Sequence, residues 1–137
     1  MERSQIITMV SRKLVPYILL FGLYLISYGH LSPGGGFQGG VVLESGIILL
    51  FLSHGLTLVQ KSFPERRLRI TELAMIFLFL LLGLVGLVMG NYFLGNILPL
   101  GKAGDVPGAG FILLLNLIIG LKVGAGITLI CFYLFRY

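Results

Sequence analysis

The feature that most constrains this chain is its repetition of long apolar runs. Four stretches, residues 14–30, 38–59, 72–95 and 110–133, are each apolar over membrane-crossing length, which for a helix is about 20 residues. Inside lipid every backbone N–H and C=O must be satisfied within its own segment, so such runs fold as helices. Charged residues make up 11% of the chain, less than half the roughly 25% of a soluble domain. The sequence therefore predicts an all-α membrane protein, a single transmembrane domain over residues 1–137 with four helices and the lipid bilayer around them. The connecting segments are too short to hold a soluble catalytic fold.

Pro16 falls in the first turn of the first run, where a missing N–H is tolerated. Arg12 and Lys13 precede that run, but no small-residue cleavage site follows it, so it reads as a span and not as a secretory signal. Most of the 20 glycines sit within the apolar runs, where membrane helices use them for close packing.

The net charge is +5, yet its placement excludes a nucleic-acid partner, because the basic residues flank the apolar runs. Arg3, Arg12, Lys13, Lys61, Arg66, Arg67, Arg69 and Arg136 fall on one side of the membrane, against Lys102 alone on the other. The positive-inside rule then predicts cytoplasmic N- and C-termini and insertion in the cell membrane. Cys131 is the one cysteine, and His30 and His54 are the two histidines. That set forms neither a disulfide framework nor a metal cluster, so the chain is expected to carry no cofactor and no metal. No nucleophile–base arrangement is visible either, so no catalytic centre is expected in this chain.

Between the first two runs lies His30-Leu31-Ser32-Pro33-Gly34-Gly35-Gly36-Phe37-Gln38-Gly39-Gly40. Pro33 ends the first helix, because the residue before a proline avoids helical geometry. The glycines allow close backbone approach, and free N–H groups at the start of the second helix can face an anion or a polar partner. The bland alternative is a tight turn between antiparallel helices. The Gly-Lys-Ser/Thr ending of a phosphate loop is missing.

Together with Gly29, this string resembles the Gly-His-x-x-Pro-Gly-Gly-Gly-Phe-x-Gly-Gly signature of the MnhB/MrpB family. Its members are B subunits of multisubunit Na⁺/H⁺ antiporters, with relatives in archaeal membrane-bound hydrogenases and sulfur reductases. The matching residues are Gly29, His30, Pro33, Gly34, Gly35, Gly36, Phe37, Gly39 and Gly40, and the resemblance covers the chain in length and number of spans. Leu31 departs from the Asn that many antiporter members carry after the histidine. The resemblance implies a membrane subunit with other membrane subunits as partners and Na⁺ and H⁺ as the transported ions. The host is either a stand-alone antiporter or a respiratory hydrogenase or sulfur-reductase complex, in which electron transfer belongs to other subunits.

Ionisable groups within the spans are the second constellation. A Lys or Asp at a helix centre costs about 2.5–3.5 kcal/mol on translocon scales, so neither Glu44 nor Lys122 is expected to face lipid. Counted at 1.5 Å per residue from the outer helix starts, Glu44 lies roughly 9 Å deep, Lys122 roughly 18 Å and His54 roughly 24 Å. Asn116 falls level with Glu44. The expected order from outside is His30, then Glu44 with Asn116, then Lys122, then His54, a polar ladder suited to a proton or ion relay. The alternative is a Glu44–Lys122 pair that holds helices in register. His54, near a helix end, also suits interfacial packing, and Asn116 also suits an interhelical hydrogen bond.

Asn116, Gly120 and Gly124 recur every four residues as a packing stripe, and Lys122 points about 160–200° away from it. The fourth helix thus needs protein or water on both faces, which implies neighbouring subunits. Gly83, Gly86 and Gly90 form a similar stripe on the third helix. Tyr17, Tyr24 and Tyr28 share one face of the first, where Tyr24 should find a hydrogen-bond partner. Three functions are open: a subunit contributing to an ion path, an architectural membrane-arm subunit, and a free-standing small transporter.

Overall fold

A computed structural model describes residues 5–89, 92–98, 101–102, 104 and 110–136; Arg3 and Gly90 lie outside them. The described residues form five helices: α1 Gln5–Ser27, α2 Gly36–His54, α3 Leu56–Ser62, α4 Glu65–Val88 and α5 Phe111–Leu134. Four of them, all but α3, are long and apolar enough to cross a membrane.

Several of the expected boundaries move. Helix α1 starts at Gln5 and not at residue 14, because Ile6, Ile7, Met9 and Val10 extend the apolar pattern outward. Arg12 and Lys13 are carried on this extension with exposed side chains. Pro16 consequently lies inside the helix instead of in its first turn, and one backbone carbonyl a turn earlier loses its N–H partner. The run 38–59 is broken in two at Gly55, whose φ of 89° no side-chain-bearing residue adopts easily. The Gly55 N–H bonds the Phe51 carbonyl and closes α2. Helix α4 starts at Glu65, seven residues before the expected 72, with the Glu65 carboxylate in its positive first turn. It ends at Val88, and residues 92–95 fold back on it. Gly83 and Gly86 therefore pack against Phe93, Tyr92 and Gly95. Helix α5 keeps its expected limits to within a residue.

The long helices stand in a row, α1–α2–α5–α4. Helix α2 runs antiparallel to α1, with Gly39 against Ile26 and Gly22 against Leu43. It runs parallel to α5, with Gly36 against Asn116 and Gly40 against Gly120 and Val123. Helix α4 is antiparallel to α5, which sets Glu72 beside Gly126 and Glu65 beside Tyr133. Because α4 packs on α5 and makes no substantial contact with α1 or α2, the row stays open and does not close into a bundle. Small residues set its tightness: a methyl group at Gly36, Gly39, Gly40 or Gly120 would run into the facing helix.

The start of α1, the α2–α4 connection and the end of α5 share one end of the row, where most basic residues cluster. There Phe51, Val59 and Phe132 form a buried apolar cluster, flanked by Leu56, Phe63 and Leu68. It lays α3 across the helix ends. Glu65 binds this corner together: its carboxylate accepts from Tyr133 at 2.6 Å and from Arg69 at 2.7 Å. Arg136 adds an ion contact at 3.8 Å. On the outer face of α1, Tyr24 stacks on Tyr28 with ring centres 4.9 Å apart and is 45% exposed, so it faces outward and not toward a partner inside the row.

Candidate functional site

Glu44 is the centre of the row. One turn after Gly40, α2 directs this side chain toward α5, and only 1% of its surface stays exposed. The Gly40–Gly120 backbone approach brings the helices close enough for Thr128 to reach it, and the Thr128 hydroxyl is hydrogen-bonded to Glu44 Oε2. The same Thr128 oxygen lies 2.8 Å from the Gly124 carbonyl. Glu44 Oε1 has no hydrogen-bond partner, although the Cys131 thiol adjoins the carboxyl. Among the described residues no Lys, Arg or His comes within ion-pair distance of it.

Lys122 and Glu44 do not pair. Lys122 projects from the opposite face of α5 and meets Glu72 of α4 at 3.9 Å, with 41% and 28% of the two side chains exposed. The pair borders a groove of about 510 Å³ whose lining includes Arg69, Gly126, Ile130 and Tyr133. Beyond it an apolar slot of about 230 Å³ runs between Met75, Ile76, Phe79, Ile118 and Ile119. A pair of this length and exposure contributes little by itself. Its chemical interest is that both charges remain open to whatever lies along the groove.

The expected ladder does not form. Asn116 is level with Gly36, whose N–H it accepts at 3.4 Å, so it caps α2 and does not stand beside Glu44. The Gly36–Asn116 and Gly40–Gly120 contacts put Glu44 past Lys122 along α5, and its side chain reaches Thr128, so Glu44 lies deeper than Lys122 instead of shallower. Counting each helix from its own start hides this, because α5 begins more than a turn before the level at which α2 starts. His54 closes α2 ten residues beyond Glu44, and its Nδ1 is 2.7 Å from Ser53 Oγ. His30 lies in the turn after α1 with both ring nitrogens buried and unpartnered. Neither histidine is bonded to Glu44.

The glycine string makes a compact hairpin. The Gly35 N–H bonds the Leu25 carbonyl at 3.2 Å, Gly35 has φ 140°, and Gly36 opens α2. Pro33 and Phe37 are exposed, whereas Gly36, Gly39 and Gly40 are buried against α1 and α5. Sequence reasoning alone does not single out Thr128 or Glu72. Thr128 does carry a signal, since it continues the Asn116–Gly120–Gly124 stripe by one more step of four. Glu72 carries none, because it stands at the expected start of its helix.

Four membrane-length helices in an open row, with a carboxyl sealed between two of them and a Lys–Glu pair on a groove beside it, define a multi-pass membrane protein that holds ionisable groups within its spans. The chain belongs to the MnhB family: the family model described as a domain related to the MnhB subunit of Na⁺/H⁺ antiporter matches residues 6–129. That stretch includes Glu44, Glu72, Lys122 and Thr128. An uncharacterized protein of Methanocaldococcus jannaschii is 32% identical over 97% of this chain and 53% of its own length. A Staphylococcus aureus protein that bears the name of an antiporter subunit, mnhB2, is 42% identical over 47% of this chain and 46% of its own length. The chain thus spans about half the length of the curated relatives it matches. Among solved structures, a chain of the membrane-bound sulfane sulfur reductase, an archaeal respiratory membrane complex, matches with a TM-score of 0.78 and 31% identity, over 96% of this chain and 57% of that one.

Proposed function

We propose that this chain is a membrane subunit of a multisubunit Na⁺/H⁺ antiporter-type module, hosted by an antiporter or by a respiratory complex, and that it contributes groups to a cation or proton path. The observation that carries this is the open row. Among the described helices α4 makes its substantial contact with α5 and none with α1 or α2, and Lys122 and Glu72 stand part-exposed well inside the span. Lipid is a costly neighbour for such charges, so further membrane subunits cover this face. The family match and the likeness to a chain of a respiratory membrane complex support the same reading. Glu44 supplies an exchangeable carboxyl, and Lys122 sets the local potential for an ion or a carboxylate moving along the groove. The termini and α3 lie on the cytoplasmic side of the cell membrane, following the basic flanks.

The test is transport by assembled complexes in lipid vesicles. Glu44→Gln and Lys122→Ala should each slow Na⁺-dependent proton movement while leaving the yield of assembled complex unchanged. Unchanged transport by both variants would refute the ion-path role. The Glu72 contact favours a second reading for Lys122, a register lock between α4 and α5; it predicts lower assembly and normal transport in whatever assembles. Purification in mild detergent with mass spectrometry tests the subunit role, which is wrong if the intact chain emerges alone. Sidedness is checked with Arg136→Cys in a Cys131→Ser background. Impermeant maleimide should label it in inverted membrane vesicles and not in intact cells; the reverse pattern would refute the orientation.

A further inference from the structure

The contacts around Glu44 pose a problem of hydrogen count. The Thr128 hydroxyl owns one hydrogen, yet its oxygen lies within bonding reach of two acceptors, Glu44 Oε2 and the Gly124 carbonyl. If Glu44 is ionised, that hydrogen goes to the carboxylate. The carboxylate then has, besides Thr128, only the weak Cys131 thiol beside it, and a charge sits in a pocket with 1% exposure and no cation within ion-pair distance among the described residues. An unpaired buried charge of this kind is the least favourable arrangement a protein interior offers. If Glu44 carries a proton on Oε2, every contact is accounted for: the carboxyl donates to Thr128, and Thr128 donates to the Gly124 carbonyl. An uncharged carboxyl then tolerates an Oε1 without a full hydrogen bond, with only the weak Cys131 thiol beside the group. The surroundings agree. From α1 the level of Glu44 is met by Gly22 and Leu19, which pack on α2 at Leu43 and Gly46, and from α5 by Gly124, Thr128 and Cys131. Cys131 is the one titratable group in that set.

We propose that Glu44, Thr128 and the Gly124 carbonyl form a proton-binding site in which Glu44 holds the proton and Thr128 is the positioning residue that accepts the hydrogen bond from the protonated carboxyl. Release of the proton, or its replacement by a cation, reverses the chain: the Thr128 hydroxyl hydrogen turns from Gly124 to the carboxylate, a rotation about the Cβ–Oγ bond without side-chain or helix movement. The proposal rests on the ion-path reading for its physiological use, but its test does not, because it reads the protonation of one carboxyl whether or not transport occurs.

The measurement is infrared difference spectroscopy of the lipid-reconstituted complex at neutral pH, in H₂O and D₂O. Only five Asp and Glu side chains belong to this chain, and subtracting Glu44→Gln from the unmodified complex isolates one of them. The expected result is a protonated-acid carbonyl band, downshifted in D₂O, that disappears in Glu44→Gln. Thr128→Val should move that band to higher frequency by removing the acceptor of its O–H, and Thr128→Ser should restore it. Absence of any acid band dependent on Glu44 would overturn the proposal, since the carboxyl would then be ionised. A band whose frequency is the same with Val at position 128 would overturn it too, because Thr128 would not be the acceptor. Recovery in the serine variant separates the hydroxyl's role from mere packing, and failure of the serine variant to recover the band counts against it.

Discussion

The close approach of α2 and α5 makes Gly40→Ala a sharp test of how this protein holds its buried carboxyl. A Cβ at position 40 would lie 2.7 Å from the Gly120 carbonyl oxygen and 3.0 Å from Val123 Cβ, where ordinary contact begins near 3.4 Å. Neither neighbour is the flexible end of a side chain, so the two helices must separate by about 0.7 Å at this level. A gap of that size forfeits roughly a quarter to a half of each dispersion contact across it. Overpacking of this type costs about 1–3 kcal/mol, and for a chain of this size that corresponds to a melting point lower by roughly 4–12 °C. Gly124→Ala, one turn further along the same seam, is the control. Its Cβ would meet only the Gly40 carbonyl, at 3.6 Å, so it should be neutral or stabilise by up to about 1 kcal/mol through helix propensity. Cys131 is the single cysteine and is half-buried, so a thiol-reactive fluorogenic dye added during a temperature ramp reports unfolding of this region. Equal melting points for Gly40→Ala and the unmodified protein, or equal losses for the two variants, would refute the packing geometry on which the site depends.

Two further outcomes follow from the basic end. Gly55→Ala places a β-carbon at φ 89° and should lower stability by about 1–2 kcal/mol, with protease nicking between α2 and α3 as a second readout; melting like the parent would mean that the break does not need glycine. Phe132→Ala empties the centre of the Phe51–Val59–Phe132 cluster and should cost roughly 3–5 kcal/mol, seen as loss of helical circular dichroism at a lower temperature, whereas a change under about 1 kcal/mol, roughly a fivefold shift in the unfolding equilibrium, would mean that α3 is not anchored there.

The membrane class, the four spans and the packing face of α5 are legible in the sequence alone, because hydropathy and a four-residue stripe are sums over neighbouring positions in the chain. Helix ends are less legible, for physical reasons specific to each. Basic side chains can ride on a helix as it leaves the membrane, so Arg12, Lys13, Arg66 and Arg67 do not mark the starts of α1 and α4. A single glycine at 55 breaks an apolar run that hydropathy treats as continuous.

The partners of the buried charges come only with the tertiary structure. Which residue of α5 faces Glu44 depends on how far α2 slides along it, and that offset is set by where Gly36, Gly40 and Gly120 let two backbones touch. Neither helix states the offset alone. Moving it by about one turn would bring Gly124 to Glu44 in place of Thr128, and with it the carboxyl would lose its hydroxyl partner. In the same way Lys122 meets Glu72 because α4 begins early enough to carry that residue well inside its length. Local pattern tells which side chains have to leave the lipid; interhelical contact decides whom they meet.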